Sequence, residues 1–360
     1  MKHAAITGWG KCLPPAVVTN DDLATFLDTS DEWITTRTGM KERRISHVGV
    51  SELGYVAAAR ALACADLDPK DLDMVVLASC TTDSGLPNSA SLIQQKLGAD
   101  NAGCYDINTA CTGFMYALST AAGMIKTGVI KNAVVVGAEV MSQPVPWHDR
   151  SISVLFGDGA AAWVLQASDK HEGVLTQKLG CMAEDRDILA INYGFTPPGE
   201  KRQDLAFWKF QGQDIFKKAV NAMAAASIDV IAEEGITADQ VSLCIPHQAN
   251  KRIIDAVAKK AGIPPERCYV NVHRYGNVSA ATVPVATVEA LEEHRIKAGD
   301  YILMPAFGAG LTWSAHLIKW GDRLTPLKES KAELPPCEHT GLELIYMIME
   351  DRGEPLTPRS

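Results

Sequence analysis

The chain has 360 residues, 47% of them hydrophobic and 21% charged, and its formal net charge at pH 7 is −9. This length allows one large core or two fused domains, and the composition is that of a folded chain rather than a disordered one. An acidic chain is a poor general binder of nucleic acid, and no apolar run reaches the length of a membrane span.

The first residues and the cysteines bear on the cellular compartment. Residues 1–8 have a strand-like pattern and lack the long apolar region and cleavage site of a signal peptide. The nine cysteines are scattered and form no CxxC pair, which argues against a disulfide framework or a clustered zinc site. We therefore expect a cytoplasmic protein without a metal site.

Strand-like and helix-like segments alternate along the chain. In order, strand patterns cover 72–80, 132–140, 241–245 and 301–306, and helix patterns cover 89–97, 115–126 and 251–261. This alternation predicts an α/β fold with mostly central, parallel strands.

The same order of elements occurs twice, and each copy contains a Cys-Tyr pair, at Cys104 and at Cys268. This predicts two pseudo-repeated halves, residues 1–170 and 171–320, whose equivalent loops meet near a pseudo-twofold axis. Residues 321–360 differ in character, with five prolines around the apolar run 342–349. We expect a C-terminal appendage of unknown role with one short helix.

Cys111 precedes the helix predicted over 115–126. The unpaired N–H groups and the dipole at a helix N-terminus stabilise a thiolate, so this position predicts a lowered pKa. A thiolate there would suit exchange with a thioester substrate. A buried structural cysteine is the commoner alternative.

His247 directly follows an apolar strand, and Asn277 lies in a Gly-Asn pair. Active sites gather at strand ends in α/β folds, although a helix-capping histidine and a simple turn explain each residue equally well alone. With Cys111 they form a Cys/His/Asn set that fits a papain-like hydrolase or a condensing enzyme. The chain lacks the CGSCW-like sequence near the N-terminus that the hydrolase requires. In a condensing enzyme, neutral His and Asn stabilise an enolate oxygen.

Seven stretches carry a resemblance to a known family. They are Thr29-Ser30-Asp31-Glu32-Trp33-Ile34, Arg37-Thr38-Gly39, Ala110-Cys111-Thr112-Gly113-Phe114, Phe156-Gly157-Asp158-Gly159-Ala160, Pro246-His247-Gln248-Ala249-Asn250, Gly276-Asn277 and Phe307-Gly308-Ala309-Gly310-Leu311-Thr312-Trp313. On these stretches the chain resembles ketoacyl-acyl-carrier-protein synthase III, the initiating condensing enzyme of type II fatty acid synthesis, within the thiolase-like superfamily. The resemblance covers residues 1 to about 320.

The resemblance implies a thiolase-like five-layered αβαβα fold and a homodimer. It implies an acyltransferase that condenses an acyl-CoA primer with malonyl-acyl carrier protein, with acyl-CoA as a substrate and no cofactor. Cys111 would accept the acyl group, and His247 and Asn277 would serve decarboxylation. The backbone N–H groups of Cys111 and Ala309 would form the oxyanion hole, where glycines allow close approach. Neither nucleic acid nor a membrane is an expected partner.

The resemblance also implies a path for the substrates. Trp33 and Arg150 match positions that hold the CoA adenine between an indole and a guanidinium, and Arg37 matches a phosphate-binding position. The other positions matched to CoA binding are Thr29, Gly212, Ile215, Phe216 and Asn250.

Two residues are assigned to the acyl pocket by the same resemblance, Phe307 and Leu86. Leu86 would reach the pocket of the partner subunit, where some members have Phe, and would leave room for a chain longer or more branched than acetyl. Basic residues are matched to carrier-protein docking, with an ordinary solvated helix face as the alternative. They are Lys217, Arg252, Lys259 and Lys260.

Two other functions remain open on this sequence. A specialised relative in secondary metabolism would transfer the acyl group to a different acceptor. A non-catalytic subunit of a heterodimeric condensing enzyme usually lacks the cysteine, so the retained Cys111, His247 and Asn277 count against it.

Overall fold

The structure is a computed structural model that describes residues 2–192 and 207–354. Its helices are α1 (Asn20–Ala24), α2 (Asp31–Thr38), α3 (Val50–Ala65), α4 (Ser89–Leu97), α5 (Gly113–Lys126), α6 (Arg150–Ser153), α7 (Gly212–Glu234), α8 (Lys251–Lys260), α9 (Val272–Tyr275), α10 (Thr282–Glu292) and α11 (Gly341–Asp351). Its strands are β1 (His3–Cys12), β2 (Ala16–Thr19), β3 (Glu42–Ile45), β4 (Met74–Ala78), β5 (Gly103–Ile107), β6 (Asn132–Val140), β7 (Asp158–Ser168), β8 (Gly173–Cys181), β9 (Leu189–Asn192), β10 (Phe207–Phe210), β11 (Val241–Cys244), β12 (Tyr301–Gly308) and β13 (Thr312–Lys319).

Two main sheets contain the predicted strands. One has the order β1-β7-β6-β4-β5 and the other the order β11-β12-β13-β8, with two-stranded sheets β2-β3 and β9-β10 beside them. The four strands predicted from the sequence pair in parallel, as β4 with β6 and β11 with β12, but the strands of the two sheets as a whole are not mostly parallel. Only the pairs β4-β5, β4-β6 and β11-β12 are parallel in the main sheets, because β7 and β13 return antiparallel beside β6 and β12. A strand buried on both faces has the same apolar run in either direction.

Helices and sheets alternate in five layers, which confirms the predicted αβαβα fold. α3 and α4 cover the outer face of the first sheet, α5 and α10 lie between the sheets, and α7 and α8 cover the second sheet. α5 is apolar on nearly every side because strands of both sheets surround it. α8 instead buries only one face, with Ile253, Ile254 and Val257, and leaves its lysines outside.

The two halves repeat one turn in detail. Asn108 and Asn277 each accept a hydrogen bond from the backbone N–H two residues later, at 3.1 and 2.8 Å. Those later residues, Ala110 and Ser279, both have positive φ, 50° and 48°, and each begins a 3-10 turn that leads into a central helix. The repeat is incomplete at Cys268, whose segment pairs with Cys244 through a single bridge where the first half has all of β5. The boundaries at residues 170 and 320 stay a prediction.

The C-terminal extension, residues 321–354 as described here, contains the one predicted helix as α11. Thr340 caps α11 in a reciprocal pair of hydrogen bonds with Glu343. The buried face of α11 lies against β2 and β3. The extension is therefore packed on the fold, although residues 355–360 lie outside the described part.

Candidate active site

One cavity of about 810 Å³ brings Cys111, His247 and Asn277 together on its wall. Each lies in a loop that follows a strand: Cys111 after β5, His247 after β11, and Asn277 after the segment bridged to β11. Ser279 and Cys80 share the wall with them. The sequence prediction that these distant loops meet in one centre agrees with this geometry.

Cys111 lies in the 3-10 turn Ala110–Thr112, one turn before the regular part of α5. Ala110 holds a left-handed conformation, an uncommon one for a side chain with a Cβ, which projects Cys111 from a tight bend. Burial raises the pKa of the Cys111 thiol to about 11, opposed by hydrogen bonds to the Ser279 and Asn277 side chains. The predicted lowering of this pKa is therefore wrong, because the loss of hydration outweighs the helix terminus.

His247 is fixed at both its backbone and its ring. Its N–H donates to the Pro305 carbonyl at 2.9 Å, and its Nδ1 lies 2.6 Å from Thr282 Oγ1. The residue is only 3% exposed, and burial lowers its pKa to about 3. The imidazole is thus neutral at physiological pH, and a neutral ring has one N–H donor.

Asn277 is held by its backbone between Leu155 and Gly157, with an N–H to the Leu155 carbonyl at 2.8 Å. Its side-chain oxygen accepts from the Ser279 N–H, which leaves the NH₂ group as the available donor. The Asn277 side chain also opposes the rise of the Cys111 pKa. Asn277 therefore offers a hydrogen-bond donor at the nucleophile.

The end of β12 lies against the backbone of the nucleophile. A Cβ on Gly308 would approach the Cys111 backbone nitrogen to 2.8 Å and the Thr112 nitrogen to 3.0 Å. Only glycine permits this approach. It places Ala309, the next residue, on the same cavity wall as Cys111, where the predicted oxyanion hole requires both.

A fully buried carboxylate behind the nucleophile was not predicted. Glu139 accepts hydrogen bonds from the hydroxyls of Ser79 and Thr81, at 3.0 and 2.6 Å, and from the Cys80 N–H at 3.1 Å. On its other side it receives the Ala280 N–H at 3.4 Å. Burial raises its pKa. Glu139 thus ties the loop after β4 to the turn that carries Asn277.

The sequence held a signal for Glu139, as the one charged residue in the apolar run of β6. Thr282 and Ser279 offered no comparable signal, because small hydroxyl residues are common near helix starts. Their roles depend on contacts across the fold.

Trp33 and Arg37 lie on the cavity wall, and Arg150 lies against Trp33; these three residues are here called the entrance. The Cζ atoms of Arg37 and Arg150 lie 4.4 and 5.1 Å from the Trp33 ring centroid. A purine between two flat groups needs roughly 7 Å, two van der Waals contacts. Trp33 and Arg150 therefore touch each other here, and must separate by roughly 2 Å to hold an adenine.

Most other predicted substrate residues line the same cavity. They are Gly212, Ile215, Phe216, Lys217, Asn250, Arg252 and Phe307. Asn250 caps α8 through the Arg252 N–H and donates to the Arg37 carbonyl at 3.1 Å, so it joins the tunnel to the entrance.

Five predicted residues lie away from this wall, and one of them, Arg150, lines a second, smaller cavity with Phe26 and His148. Thr29 precedes α2 near the entrance, and Lys259 and Lys260 are exposed at the end of α8. Leu86 is 90% exposed and does not face this cavity. Its assignment concerns a second subunit, so it stays a prediction.

Two kinds of feature are absent from residues 2–192 and 207–354. Those residues contain no cluster of three or more His, Cys, Asp or Glu side chains that could hold a metal ion. Among them, no helix is long and apolar enough to cross a membrane.

Comparison with known proteins identifies the kind of site. Residues 105–183 match the family described as 3-Oxoacyl-[acyl-carrier-protein (ACP)] synthase III, and residues 231–320 match its C-terminal part. The beta-ketoacyl-[acyl-carrier-protein] synthase III 2 of Vibrio cholerae serotype O1 is 49% identical over 350 residues, covering 97% of both chains. An alignment of that length reaches well into the C-terminal extension.

Two solved structures are also similar to this chain. The 3-oxoacyl-[acyl-carrier-protein] synthase III of Aquifex aeolicus VF5 is 43% identical with a TM-score of 0.83, covering 88% of this chain and 100% of that one. The priming beta-ketosynthase of the R1128 polyketide biosynthetic pathway is 32% identical with a TM-score of 0.82, covering 89% of this chain and 97% of that one.

Proposed function

The chain belongs to the 3-oxoacyl-[acyl-carrier-protein] synthase III family, acyltransferases of fatty acid biosynthesis, and on this premise we propose that it condenses an acyl-CoA primer with malonyl-acyl carrier protein through an acyl-Cys111 intermediate. One observation carries the proposal. A cysteine, a neutral histidine and an asparagine whose NH₂ group is available as a donor share the wall of one cavity.

In the first step, the Cys111 sulfur attacks the thioester carbonyl of acyl-CoA. The oxyanion accepts hydrogen bonds from the backbone N–H groups of Cys111 and Ala309, which the close approach of Gly308 supports. The C–S bond to CoA then breaks, and the proton of the Cys111 thiol ends on the departing CoA sulfur. The raised pKa keeps the Cys111 thiol protonated in the resting state, so the cavity contains no buried thiolate before the reaction.

In the second step, malonyl-acyl carrier protein loses carbon dioxide, and the bonding electrons form an enolate. His247 and the NH₂ group of Asn277 donate hydrogen bonds to the enolate oxygen. The enolate carbon attacks the acyl-Cys111 carbonyl, the C–S bond to Cys111 breaks, and the departing thiolate takes up a proton from solvent water. The product is a 3-oxoacyl carrier protein one two-carbon unit longer than the primer.

We propose that the entrance binds the nucleotide end of CoA, with Trp33 and Arg150 around the adenine and Arg37 at the phosphates. Thr29 lies near this entrance, and the tunnel below it is lined by Gly212, Ile215, Phe216 and Asn250. Two guanidinium groups over one indole support this assignment. Lys217, Arg252, Lys259 and Lys260 would dock the acidic carrier protein.

We further propose a homodimer in which Leu86 completes the acyl pocket of the partner subunit, opposite Phe307. The 90% exposure of an apolar side chain supports a covering partner. Leu86→Phe is then expected to shift the preference toward shorter primers without changing the mass of the dimer in solution. An unchanged chain-length profile would contradict the role of Leu86.

The intact mass of the protein after exposure to acyl-CoAs from acetyl to dodecanoyl tests the proposal. We expect a mass gain on Cys111 that disappears when malonyl-acyl carrier protein is added, as a 3-oxoacyl carrier protein forms. Cys111→Ala is expected to abolish the mass gain, whereas His247→Ala retains acylation and loses decarboxylation. A block of acylation alone in His247→Ala would refute the division of roles.

Two other outcomes of the intact-mass experiment would favour the alternative functions. An acyl enzyme that persists with malonyl-acyl carrier protein indicates a different acceptor, as in a specialised relative; the similarity to a polyketide priming synthase is the observation that favours this. No mass gain with any acyl-CoA would indicate a non-catalytic subunit.

A further inference from the structure

We infer that the C-terminal extension is a positioning element for the entrance, with Tyr346 and Arg352 holding the two chain segments that carry Trp33 and Arg150. The inference rests on the proposed binding of the CoA nucleotide at the entrance. It assigns a role to residues outside the family matches, which end at residue 320.

The first part of the extension anchors it along α3. Leu327 N–H and the Arg323 side chain both donate to the Cys64 carbonyl, at 3.0 and 3.1 Å, and Lys328 pairs with Asp66. Further along, the His47 ring contacts the Pro335 carbonyl at 2.8 Å. With these contacts, the extension runs across the outer helix layer to the edge of the entrance.

α11 then begins in direct contact with β2. A Cβ on Gly341 would meet the Val17 carbonyl at 2.5 Å, so the helix start lies on that strand. The buried face of α11, Leu344, Ile345, Ile348 and Met349, packs in one hydrophobic cluster with Phe26, Leu27, Ile34, Val145 and Trp147. Burial of this apolar face stabilises the packing of α11 against the rest of the protein.

One side of that cluster leads to Trp33. The Phe26 ring lies 5.9 Å from the Tyr346 ring in a T-shaped contact. Asp28 follows Phe26 closely in the chain, and its carbonyl accepts a hydrogen bond from Arg150. α2 begins directly after this segment. Tyr346 thus supports the segment from which α2 presents Trp33.

The other side leads to Arg150. After α11, Arg352 donates to the carbonyl of Val145 at 2.7 Å and to that of Gln143. Glu354 lies 3.6 Å from the His148 ring. The segment 143–149 has no partner strand of its own and leads directly into α6, which begins with Arg150. The extension therefore holds the carbonyls of Gln143 and Val145, whereas that of Pro144 accepts from the Trp208 indole.

Because the segments on both sides of the entrance contact α11 or the residues directly after it, the spacing between Trp33 and Arg150 depends on the extension. The Cys111, His247 and Asn277 side chains make no contact with the extension among the described hydrogen bonds and ion pairs. We therefore expect the extension to govern binding of the CoA nucleotide and not the chemistry at Cys111.

The test compares Tyr346→Ala and Arg352→Gln with Met347→Ala, whose side chain is 46% exposed on the opposite face of α11. The two substrates are the best acyl-CoA and the same acyl group on pantetheine, which lacks the nucleotide. Each test variant is expected to raise KM for acyl-CoA about tenfold, the scale of one lost stacking or hydrogen-bonding contact. In these variants, kcat for acyl-CoA and both kcat and KM for acyl-pantetheine stay at wild-type values. In Met347→Ala, kcat and KM for both substrates stay at wild-type values.

Hydrogen–deuterium exchange supplies a readout independent of activity. Amides in residues 143–153 and 26–33 are expected to exchange faster in both test variants, with unchanged exchange in α5. Equal KM increases for both thioesters, or exchange at the entrance identical to wild type, would overturn the inference. If the wild-type chain is not acylated by any acyl-CoA, the proposed function fails instead, and the exchange experiment still decides whether α11 holds the entrance.

Discussion

At the residue scale, the hydroxyl hydrogen of Thr282 sets which His247 nitrogen carries a proton. Thr282 Oγ1 lies 2.6 Å from His247 Nδ1 and 3.1 Å from the Ser279 carbonyl. When the hydroxyl donates to Nδ1, the neutral ring has its hydrogen on Nε2 and can donate to an enolate. The hydroxyl has two acceptors within reach, Nδ1 and the Ser279 carbonyl, and the proposed donation to the enolate requires that it donates to Nδ1.

Thr282→Val is therefore expected to slow decarboxylation of malonyl-acyl carrier protein by roughly 10- to 100-fold, the cost of a misoriented donor. Acylation of Cys111 stays near the wild-type rate. The measurement is release of labelled carbon dioxide from the pre-acylated enzyme. Thr287→Val is the matched control, since that hydroxyl donates only to the Val283 carbonyl of the same helix. Equal losses in both variants would contradict a role for the histidine tautomer.

The reactivity of Cys111 toward iodoacetamide should follow its raised pKa. With a pKa of about 11, the thiolate fraction rises about tenfold per pH unit between pH 7 and 9. The alkylation rate is expected to rise in step without a plateau. Ser279→Ala removes a hydrogen bond that lowers this pKa, so it should react more slowly at each pH. A plateau near pH 8 would show that the thiol ionises far more easily than its burial indicates.

The sequence indicated the residues of the proposed chemistry more directly than the residues that surround them. Cys111, His247 and Asn277 stand in distinctive local motifs. Thr282 and Glu139 act through contacts that form only when strands and central helices of both halves come together. The pKa of Cys111 was mispredicted for the same reason, because burial is a property of the assembled fold.

At the scale of elements, the end of β12 is fixed against the turn before α5. Gly308→Ala places a Cβ where backbone nitrogens of Cys111 and Thr112 already lie, so β12 or the turn must shift. We expect at least a hundredfold loss of Cys111 acylation, as a donor moves away from the oxyanion. Burst kinetics with acyl-CoA measure this loss.

Gly123→Ala in α5 is the control for that substitution. A Cβ there meets no atom within 4 Å, and alanine favours a helix interior by about 0.5–1 kcal/mol over glycine. This variant should be slightly more stable and fully active. Retained acylation in Gly308→Ala would show that the site tolerates movement of β12.

Element boundaries were predictable where local signals were strong. The helix at 89–97 and the strand at 132–140 match α4 and β6, since Asn88 and Gly98 bracket α4 and β6 is one apolar run. The segment at Cys268 was expected to repeat β5 but forms one bridge. The sequence of this segment does not show that its neighbour in the sheet, β11, is short.

At the scale of the molecule, an aromatic cluster joins the two halves. Trp320, at the end of the second sheet, contacts Trp9 and Trp163 of the first sheet at centroid distances of 5.7 and 6.4 Å. Phe114 of α5 packs against Trp163 at 4.9 Å. The halves therefore share one core.

Trp320→Ala should lower the free energy of unfolding by about 3–5 kcal/mol, the usual cost of removing a buried aromatic. Chemical denaturation would measure the change. We expect one cooperative transition at lower denaturant, because the cluster is shared by both halves. Two separate transitions in the variant would show that the halves can unfold independently.

The whole architecture followed from the resemblance, whereas the docking of the extension did not. Five layers and two related halves were expected, and the structure has them. Nothing in residues 321–354 showed which surface α11 would cover, because an apolar helix face fits many surfaces. Its partners, such as Val145 and Phe26, lie far away in sequence.

The burial of Cys111 has a consequence for oxidative damage. Peroxides oxidise the thiolate form of cysteine, so susceptibility follows the ionised fraction. With a pKa of about 11, roughly one Cys111 in ten thousand is ionised at pH 7. We expect hydrogen peroxide to inactivate the resting enzyme far more slowly than it oxidises free cysteine, and rapid loss of activity at low peroxide would contradict this. The pocket that buries the nucleophile would then also protect it from oxidation.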